Sequence, residues 1–311
     1  MKVAQINEYG GSEQVFINGQ APKPTPAAGQ VLIEVHAAGV NPSDWKIRSG
    51  LFQSFMPLEL PVTLGGDFSG VLSALGEGVT GINPGDEIYG QAKIAKGIGS
   101  FAEFTLADVK NIARKPTNLN HAEAAAVPLA GVSAWQALVE HMALVSRWKI
   151  LIHGGAGGIG SMALQIAKHL GAYVATTVGA DDFDYVKGFG ADEVIDYKNQ
   201  KFEELLPDFD AVFDTVGGET YIKSFRVLKP GGIVVSMLEQ PNAELMKQYN
   251  VKAIGQFTIV TTERLTKLNE LLDSGAVKVP VDKVFSLAEA AAALNYLERG
   301  EARGKVVIKI K

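Results

Sequence analysis

Gly155, Gly157 and Gly160 have the spacing in this chain that points most directly to chemistry. They form a G-x-G-x-x-G that closes the apolar run Ile150-Leu-Ile-His153 and opens a helical pattern. In a dinucleotide site the first glycine allows a tight strand-to-helix turn and the second lets backbone approach a pyrophosphate. The third lets the helix pack close to the strand. The helix N-terminus adds free N–H groups and partial positive charge. A purely structural glycine turn has the same spacing, so the flanking pattern decides. Residues 149–153 read as a buried strand. Ile159, Met162, Ala163, Ile166 and Leu170 share one helical face. Gly171 suits a C-cap, and residues 173–178 form a second β-rich run. The whole is a βαβ unit of about 30 residues.

Other chemistries are bounded by composition. The chain has 311 residues and no cysteine. Disulfides, thiol catalysis, thiolate-bound zinc and iron–sulfur clusters are therefore excluded. His36, His121, His141, His153 and His169 show no pair at i, i+3 or i+4. Each reads as a surface or locally satisfied side chain, and only a His/carboxylate zinc site assembled in space is left open. A net charge of −5 gives no sign of a nucleic-acid surface. No apolar run is long enough to span a membrane, and the N-terminus lacks a signal-peptide pattern, so a cytoplasmic protein is expected.

The elements around the motif fall into three blocks. Residues 1–122 read as β-rich, with short strands at 3–6, 15–17, 31–38 and 87–90 and the proline-rich connector 21–29. Asn41 and Pro42 suit the N-cap and first turn of a short helix. Helices are expected at 122–127 and 133–141, split by Pro128. Strands at 194–196, 211–214, 233–236 and 253–257 then alternate with helices at 182–188, 202–206, 219–228 and 243–249, which implies a parallel, doubly wound sheet. Pro230-Gly-Gly232 reads as a turn before a strand. The tail departs again. Helices at 263–274 and 287–299 accompany strands at 281–285 and 305–310, and the last alternates as a half-buried strand that returns to the N-terminal block.

In collinear order, further motifs carry a resemblance. They are Ala37-Ala-Gly-Val-Asn-Pro-Ser-Asp44, Gly65-Gly-Asp-Phe-Ser-Gly70, Asn83-Pro-Gly-Asp-Glu87, Ala126-Val-Pro-Leu-Ala-Gly131, Gly190-Ala-Asp-Glu-Val-Ile-Asp-Tyr197, Phe213-Asp-Thr-Val-Gly-Gly218, Leu228-Lys-Pro-Gly-Gly232 and Arg303-Gly-Lys-Val-Val-Ile308. With the glycine loop, they make the chain resemble the zinc-independent quinone oxidoreductases of the medium-chain dehydrogenase/reductase superfamily over nearly its whole length. The resemblance implies an α/β fold: a GroES-like β-rich catalytic domain at 1–122 and 261–311, and a Rossmann-type doubly wound parallel sheet at 123–260. The active site is expected in the cleft between them. In zinc-dependent relatives a Cys stands at Asn41 and a Gly-His-Glu at Gly65-Gly66-Asp67, and a four-cysteine lobe is absent from residues 90–100. No zinc is therefore expected. Without a Lewis acid, an electrophilic quinone or enone suits the site better than an alcohol.

The second strand ends at Gly179, 19 residues after Gly160, where an NAD enzyme places an acid for the ribose. NADPH is therefore expected, with NADH as the alternative. The resemblance adds Tyr197 to the 2′-phosphate site, but Asp181, Asp182 and Asp184 stand where a base is wanted. They act either as repelling charges or as caps of the next helix. Lys187, or Arg303 and Lys305 from the tail, are candidates for the missing charge. By position, Ala156, Gly157, Gly158 and Ile159 hold the pyrophosphate. Val216, Gly217, Gly218, Ser236, Met237 and Leu238 line the strand ends, and Phe257 and Ile259 border the nicotinamide, with core packing as the rival role for Phe257. The resemblance also implies that Asn41 and Ser133 face the nicotinamide.

Asn41 and Lys46 are the candidate donors to a developing oxyanion, while Asp44 orients local backbone. The expected reaction is NADPH-dependent reduction of quinones. An enoyl or alkenal reductase is one alternative, and a non-enzymatic NADPH-binding sensor or structural protein is another. The expected partners are a small-molecule acceptor and a second copy of the chain paired around residues 253–257.

Overall fold

The computed structural model describes residues 1–54 and 56–311. The chain runs β1 (Val3–Ile6), β2 (Phe16–Asn18), β3 (Gln30–Val40), α1 (Pro42–Arg48), β4 (Val62–Thr63), β5 (Asp67–Leu75), β6 (Glu87–Gln91), β7 (Phe104–Asp108), β8 (Ile112–Arg114), α2 (His121–Ala125), α3 (Pro128–Trp135), β9 (Lys149–His153), α4 (Gly158–His169) and β10 (Tyr173–Val178). It continues through α5 (Phe183–Gly188), β11 (Glu193–Asp196), α6 (Phe202–Leu205), β12 (Phe209–Asp214), α7 (Glu219–Ser224), β13 (Leu228–Ser236), α8 (Ala243–Tyr249), β14 (Lys252–Gly255), α9 (Thr262–Asp273), β15 (Val281–Ser286), α10 (Ala290–Glu298) and β16 (Lys305–Lys309). Two units result. The first is 1–129, 260–274 and 279–311, and the second is 130–259 and 275–278. Among the described residues no helix is long and apolar enough to cross a membrane.

In the first unit, β16 joins β3 antiparallel and β15 in parallel, in a sheet ordered β15-β16-β3-β5-β6-β8, with β7 also on β3. The tail strand therefore returns to the N-terminal block as its pattern implied. It is not half-buried, however: Lys305 through Ile308 are all buried. Val306 and Ile308 pack with Val40, Ile47 and Leu64, and Val307 packs on the other side with Ala37, Ala125 and Ala126. That second layer is α2. A Cβ at Gly39 would collide with the Ala125 carbonyl, so the approach of α2 to β3 requires glycine. The unit boundary consequently falls at residue 129 rather than 122.

The second unit is a six-stranded parallel sheet ordered β11-β10-β9-β12-β13-β14. Strand β9 is flanked by β10 and β12, so the chain winds outward in both directions from it. Ligands in such sheets sit outside the carboxyl ends of the strands at this reversal. Residues 275–278 belong here because Gln165 of α4 donates to the Lys278 carbonyl at 2.9 Å and accepts the Lys278 N–H at 2.8 Å. Pro128 does separate two helices, α2 and α3, but as the first residue of α3, where its missing N–H is an orphan anyway, so the second helix starts at 128 rather than 133. A π-helical turn over Gln136–His141 follows. Pro230-Gly-Gly232 lies inside β13, where pairing with β12 shifts register, so the expected turn is an irregularity within a longer strand.

Candidate functional site

The glycine loop has the turn and the close packing that the fingerprint's spacing implies, with one reassignment. The tight turn is made at Gly154, which has φ +71°, one residue before Gly155. Gly155 instead serves close approach, since a Cβ there would strike the Thr176 hydroxyl. A Cβ at Gly160 would strike the Gly154 carbonyl, which is the close helix–strand packing expected of the third glycine. Gly157 differs, because the nearest atom to its missing Cβ is 3.4 Å away. Gly157 is also the N-cap of α4 and supplies no side chain, so the helix start at Gly158 and Ile159 is not covered by a capping group. Gly160→Ala is expected to cost the second unit about 1–3 kcal/mol through overpacking against backbone. Gly157→Ala should leave the melting temperature nearly unchanged but weaken dinucleotide binding. Thermal melts and a fluorescence titration of both variants check this, and equal melts would contradict it.

Past the loop, the strand ends are built as two linked turns. The buried Asp214 carboxylate accepts the Val216 and Gly217 N–H groups at 3.0 and 2.9 Å and the Ser236 hydroxyl at 2.7 Å. Ser236 Oγ in turn accepts the Leu238 and Glu239 N–H groups, and Glu239 accepts the Gly218 N–H at 2.7 Å. Ser236 therefore shapes the rim, and its hydroxyl is not available to a cofactor. Ser133 is corrected for the same reason. It is buried, its hydroxyl bonds that of Thr258 at 2.7 Å, and its carbonyl accepts from Gln256 at 3.0 Å. Gln136 completes the brace by donating to the Phe257 carbonyl and accepting the Ile259 N–H. Val216, Leu238 and Ile259 are each about half exposed and Phe257 is 78% exposed. Phe257 is thus not a core residue. These apolar groups beyond the sheet's carboxyl ends suit a ligand that covers them.

Gly179 ends β10 with nothing closer to its missing Cβ than Asp182 Oδ2 at 3.9 Å and Lys198 Nζ at 4.0 Å. Parallel pairing sets Val178 opposite Asp196, so Tyr197 and Lys198 leave β11 beside Gly179. Tyr197 is exposed, and the Lys198 ammonium lies 5.9 Å from its ring centroid. Lys198 places a cation beside Gly179 from outside residues 179–187 and the tail, and its place next to Tyr197 in a parallel β10–β11 pair is the signal for it in the sequence. Asp182 occupies the N-cap position of α5 but makes no capping hydrogen bond with its side chain.

In the first unit, Asn41, Asp44, Asp67 and Lys305 form a buried cluster. Asn41 N-caps α1, and its N–H donates to Asp44 Oδ2 at 2.8 Å. Its Nδ2 donates to Asp67 Oδ2 at 2.9 Å and its Oδ1 accepts from Lys305, which also donates to the Val40 carbonyl at 2.9 Å. Asp67 further accepts the Leu129 N–H at 2.9 Å and Gln91 Nε2 at 3.2 Å. Burial pushes the Asp44 carboxyl up to about 7, with the Asp67 charge adding to the shift and the Asn41 N–H opposing it. Burial also raises Asp67 against the pull of Lys305, and lowers Lys305 against the pull of both carboxylates.

One expectation is corrected here. Lys305 is no surface cation for a phosphate, because its ammonium is buried and committed. The Asn41 carboxamide is held at both ends, with one of its two Nδ2 protons given to Asp67. Asp44 does orient backbone, as expected. Lys46 on α1 is partly exposed, 5.6 Å from the Trp45 ring centroid, and Arg303 is exposed. His36 and His121 do meet across the fold, with ring centroids 4.3 Å apart. Among the described residues no group of three or more His, Asp or Glu is arranged to hold a metal ion.

Comparison with known proteins agrees with this architecture. A family signature described as "Alcohol dehydrogenase GroES-like domain" matches residues 27–117, and one described as "Zinc-binding dehydrogenase" matches residues 189–308. The chain is 39% identical to a 2-methylene-furan-3-one reductase of Solanum lycopersicum, across 99% of this chain and 79% of that protein. It is 36% identical to an Arabidopsis thaliana NADPH-dependent alkenal/one oxidoreductase, with the same coverages. The solved structure of the quinone oxidoreductase from Coxiella burnetii superposes with a TM-score of 0.92 at 33% identity, covering 100% of this chain and 99% of that one. The chain belongs to the quinone oxidoreductase family of the medium-chain dehydrogenase/reductase superfamily and is an oxidoreductase.

Proposed function

We propose that the protein reduces quinones with NADPH and without a metal. The observation that carries the cofactor is Lys198 beside the side-chain-free Gly179. The site presents an ammonium and the Tyr197 hydroxyl where an NAD enzyme would present an acid, a donor set that suits a 2′-phosphate. The loop 154–160 accepts the pyrophosphate at the start of α4, and the apolar rim of Val216, Leu238, Phe257 and Ile259 borders the nicotinamide and excludes water from it. NADPH, when bound, supplies the hydride. Lys46, a cationic side chain of α1 left partly exposed, is assigned to the oxyanion that develops on the acceptor.

The metal-free reading rests on the donor set. The positions that hold zinc in zinc-dependent relatives carry Asn41 and Gly66, and the Lys305 ammonium already takes the Asn41 and Val40 oxygens. A second cation there would face a like charge in a buried site.

An enone reductase is the second reading, favoured by the two relatives named for enone chemistry. Anaerobic turnover of 1,4-naphthoquinone and of methyl vinyl ketone, each with NADPH and with NADH, separates the two readings. Faster kcat/KM on the quinone with NADPH is expected, falling about 10-fold or more in Lys46→Ala. Preference for the enone selects the second reading. Turnover stimulated by added zinc would overturn the metal-free reading.

A further inference from the structure

His153 is fully buried at the end of β9. Its Nδ1 lies 2.9 Å from Thr177 Oγ1 on β10, and its Nε2 lies 3.0 Å from Ser224 Oγ on α7. Ser224 has one hydroxyl proton, which it donates to the Thr220 carbonyl at 2.6 Å. Ser224 Oγ must therefore accept from His153 Nε2, and Nδ1 must accept from Thr177. This assigns the neutral Nε2–H tautomer. The His153 carbonyl accepts the Thr215 hydroxyl at 2.7 Å, and the Thr177 carbonyl accepts the Gly154 N–H at 3.2 Å. The imidazole thus ties the end of β10 that leads to Gly179 to α7, and the main-chain carbonyls of the two residues it joins on β9 and β10 carry the bonds to the Thr215–Gly218 turn and to the glycine loop.

We propose that His153 is a positioning residue for the dinucleotide, holding these segments at the spacing that the pyrophosphate and the 2′-phosphate site require. The proposal rests on the dinucleotide reading above. Burial holds the ring neutral, pushing its pKa down to about 4, against Asp214 on β12 and Glu203 on α6, whose charges pull the other way. Glu203 is itself paired with Lys223 at 3.6 Å. The Phe202 ring, 4.6 Å away and edge-on, closes that side with an apolar surface. Protonation would place a donor at Nδ1, where the network needs an acceptor. The ring would then have to break its bond to Thr177 or force that hydroxyl to turn.

The test measures NADPH dissociation constants by nicotinamide fluorescence, together with steady-state kinetics, for His153→Leu, Thr177→Val and Ser224→Ala. The two single-arm variants keep the test decisive if His153→Leu fails to fold. The expected result is a dissociation constant raised about 10-fold in His153→Leu and less in each single-arm variant, with kcat at saturating NADPH within about twofold of wild type. His153→Gln, which retains a polar amide, should recover part of the loss. Unchanged NADPH binding in the variants, with only lowered melting temperatures, would overturn the positioning role. If wild-type protein itself fails to bind NADPH, the dinucleotide reading falls first, and the positioning role falls with it.

Discussion

Lys198→Ala is expected to raise KM for NADPH roughly 10- to 100-fold while leaving KM for NADH within about twofold. The estimate takes one charge-assisted hydrogen bond to a phosphate at about 1.5–3 kcal/mol. The Lys198 ammonium is exposed, so its contribution should shrink as salt is raised, and low ionic strength will show the effect at its largest. The reciprocal substitution is Gly179→Asp. Gly179 has φ −74°, which any residue adopts, and its Cβ direction is open to 3.9 Å, so an aspartate fits there without strain. It would meet both Asp182 and a 2′-phosphate with like charge while offering NADH a ribose acceptor. Together the two variants should invert the NADPH/NADH ratio of kcat/KM. If Lys198→Ala weakens NADPH and NADH equally, the lysine is not reading the phosphate.

Lys305→Met is expected to be the most destabilising single change in the first unit. It leaves Asp67 and Asp44 buried without their cation, at a cost of about 3–5 kcal/mol. A domain of this size loses roughly 2–4 °C of melting temperature per kcal/mol, so a fall of about 6–20 °C should appear at pH 8. The pH dependence has a definite sign. Asp44 titrates at about 7 in the fold against an ordinary value of 3.8, so the folded state binds more protons than the unfolded chain between those values. Stability from this group is present at low pH and lost as pH rises toward 7. Removing Lys305 should push both carboxyls higher still. The melting deficit of Lys305→Met should therefore narrow as pH falls from 8 to 5, and adding Asp44→Asn should recover part of it at pH 8. A deficit independent of pH would mean that the loss is packing rather than unpaired charge.

Local patterns made much of this molecule legible. The strand at 149–153, the helix after the glycines and the strand at 173–178 each announce themselves in a few residues, because burial and periodicity act within one element. Gly179 was informative for the same reason. Pairings between distant segments were not legible. Lys198 reaches Gly179 only through the parallel register of β10 and β11. Lys305 looked like a surface base because β16 alternates, but β15 and β3 take its edges, α2 covers one face and the cluster of Ile47 and Leu64 covers the other, and the ammonium ends against Asn41. The serines at 133 and 236 matched cofactor positions by motif, yet their hydroxyls were consumed by neighbours that lie far away in the chain.

The position of β16 has a consequence for how the chain is made. The second unit gathers its six strands from one continuous stretch of sequence and can complete its sheet as soon as that stretch leaves the ribosome. The first unit cannot. Strand β3 lacks its neighbour β16, and Asp44 and Asp67 lack their counter-charge, until Lys305 arrives about 265 residues after Val40. During synthesis the N-terminal strands therefore wait with an open edge and a buried site still uncompensated. This long loop closure should dominate the folding time of the chain.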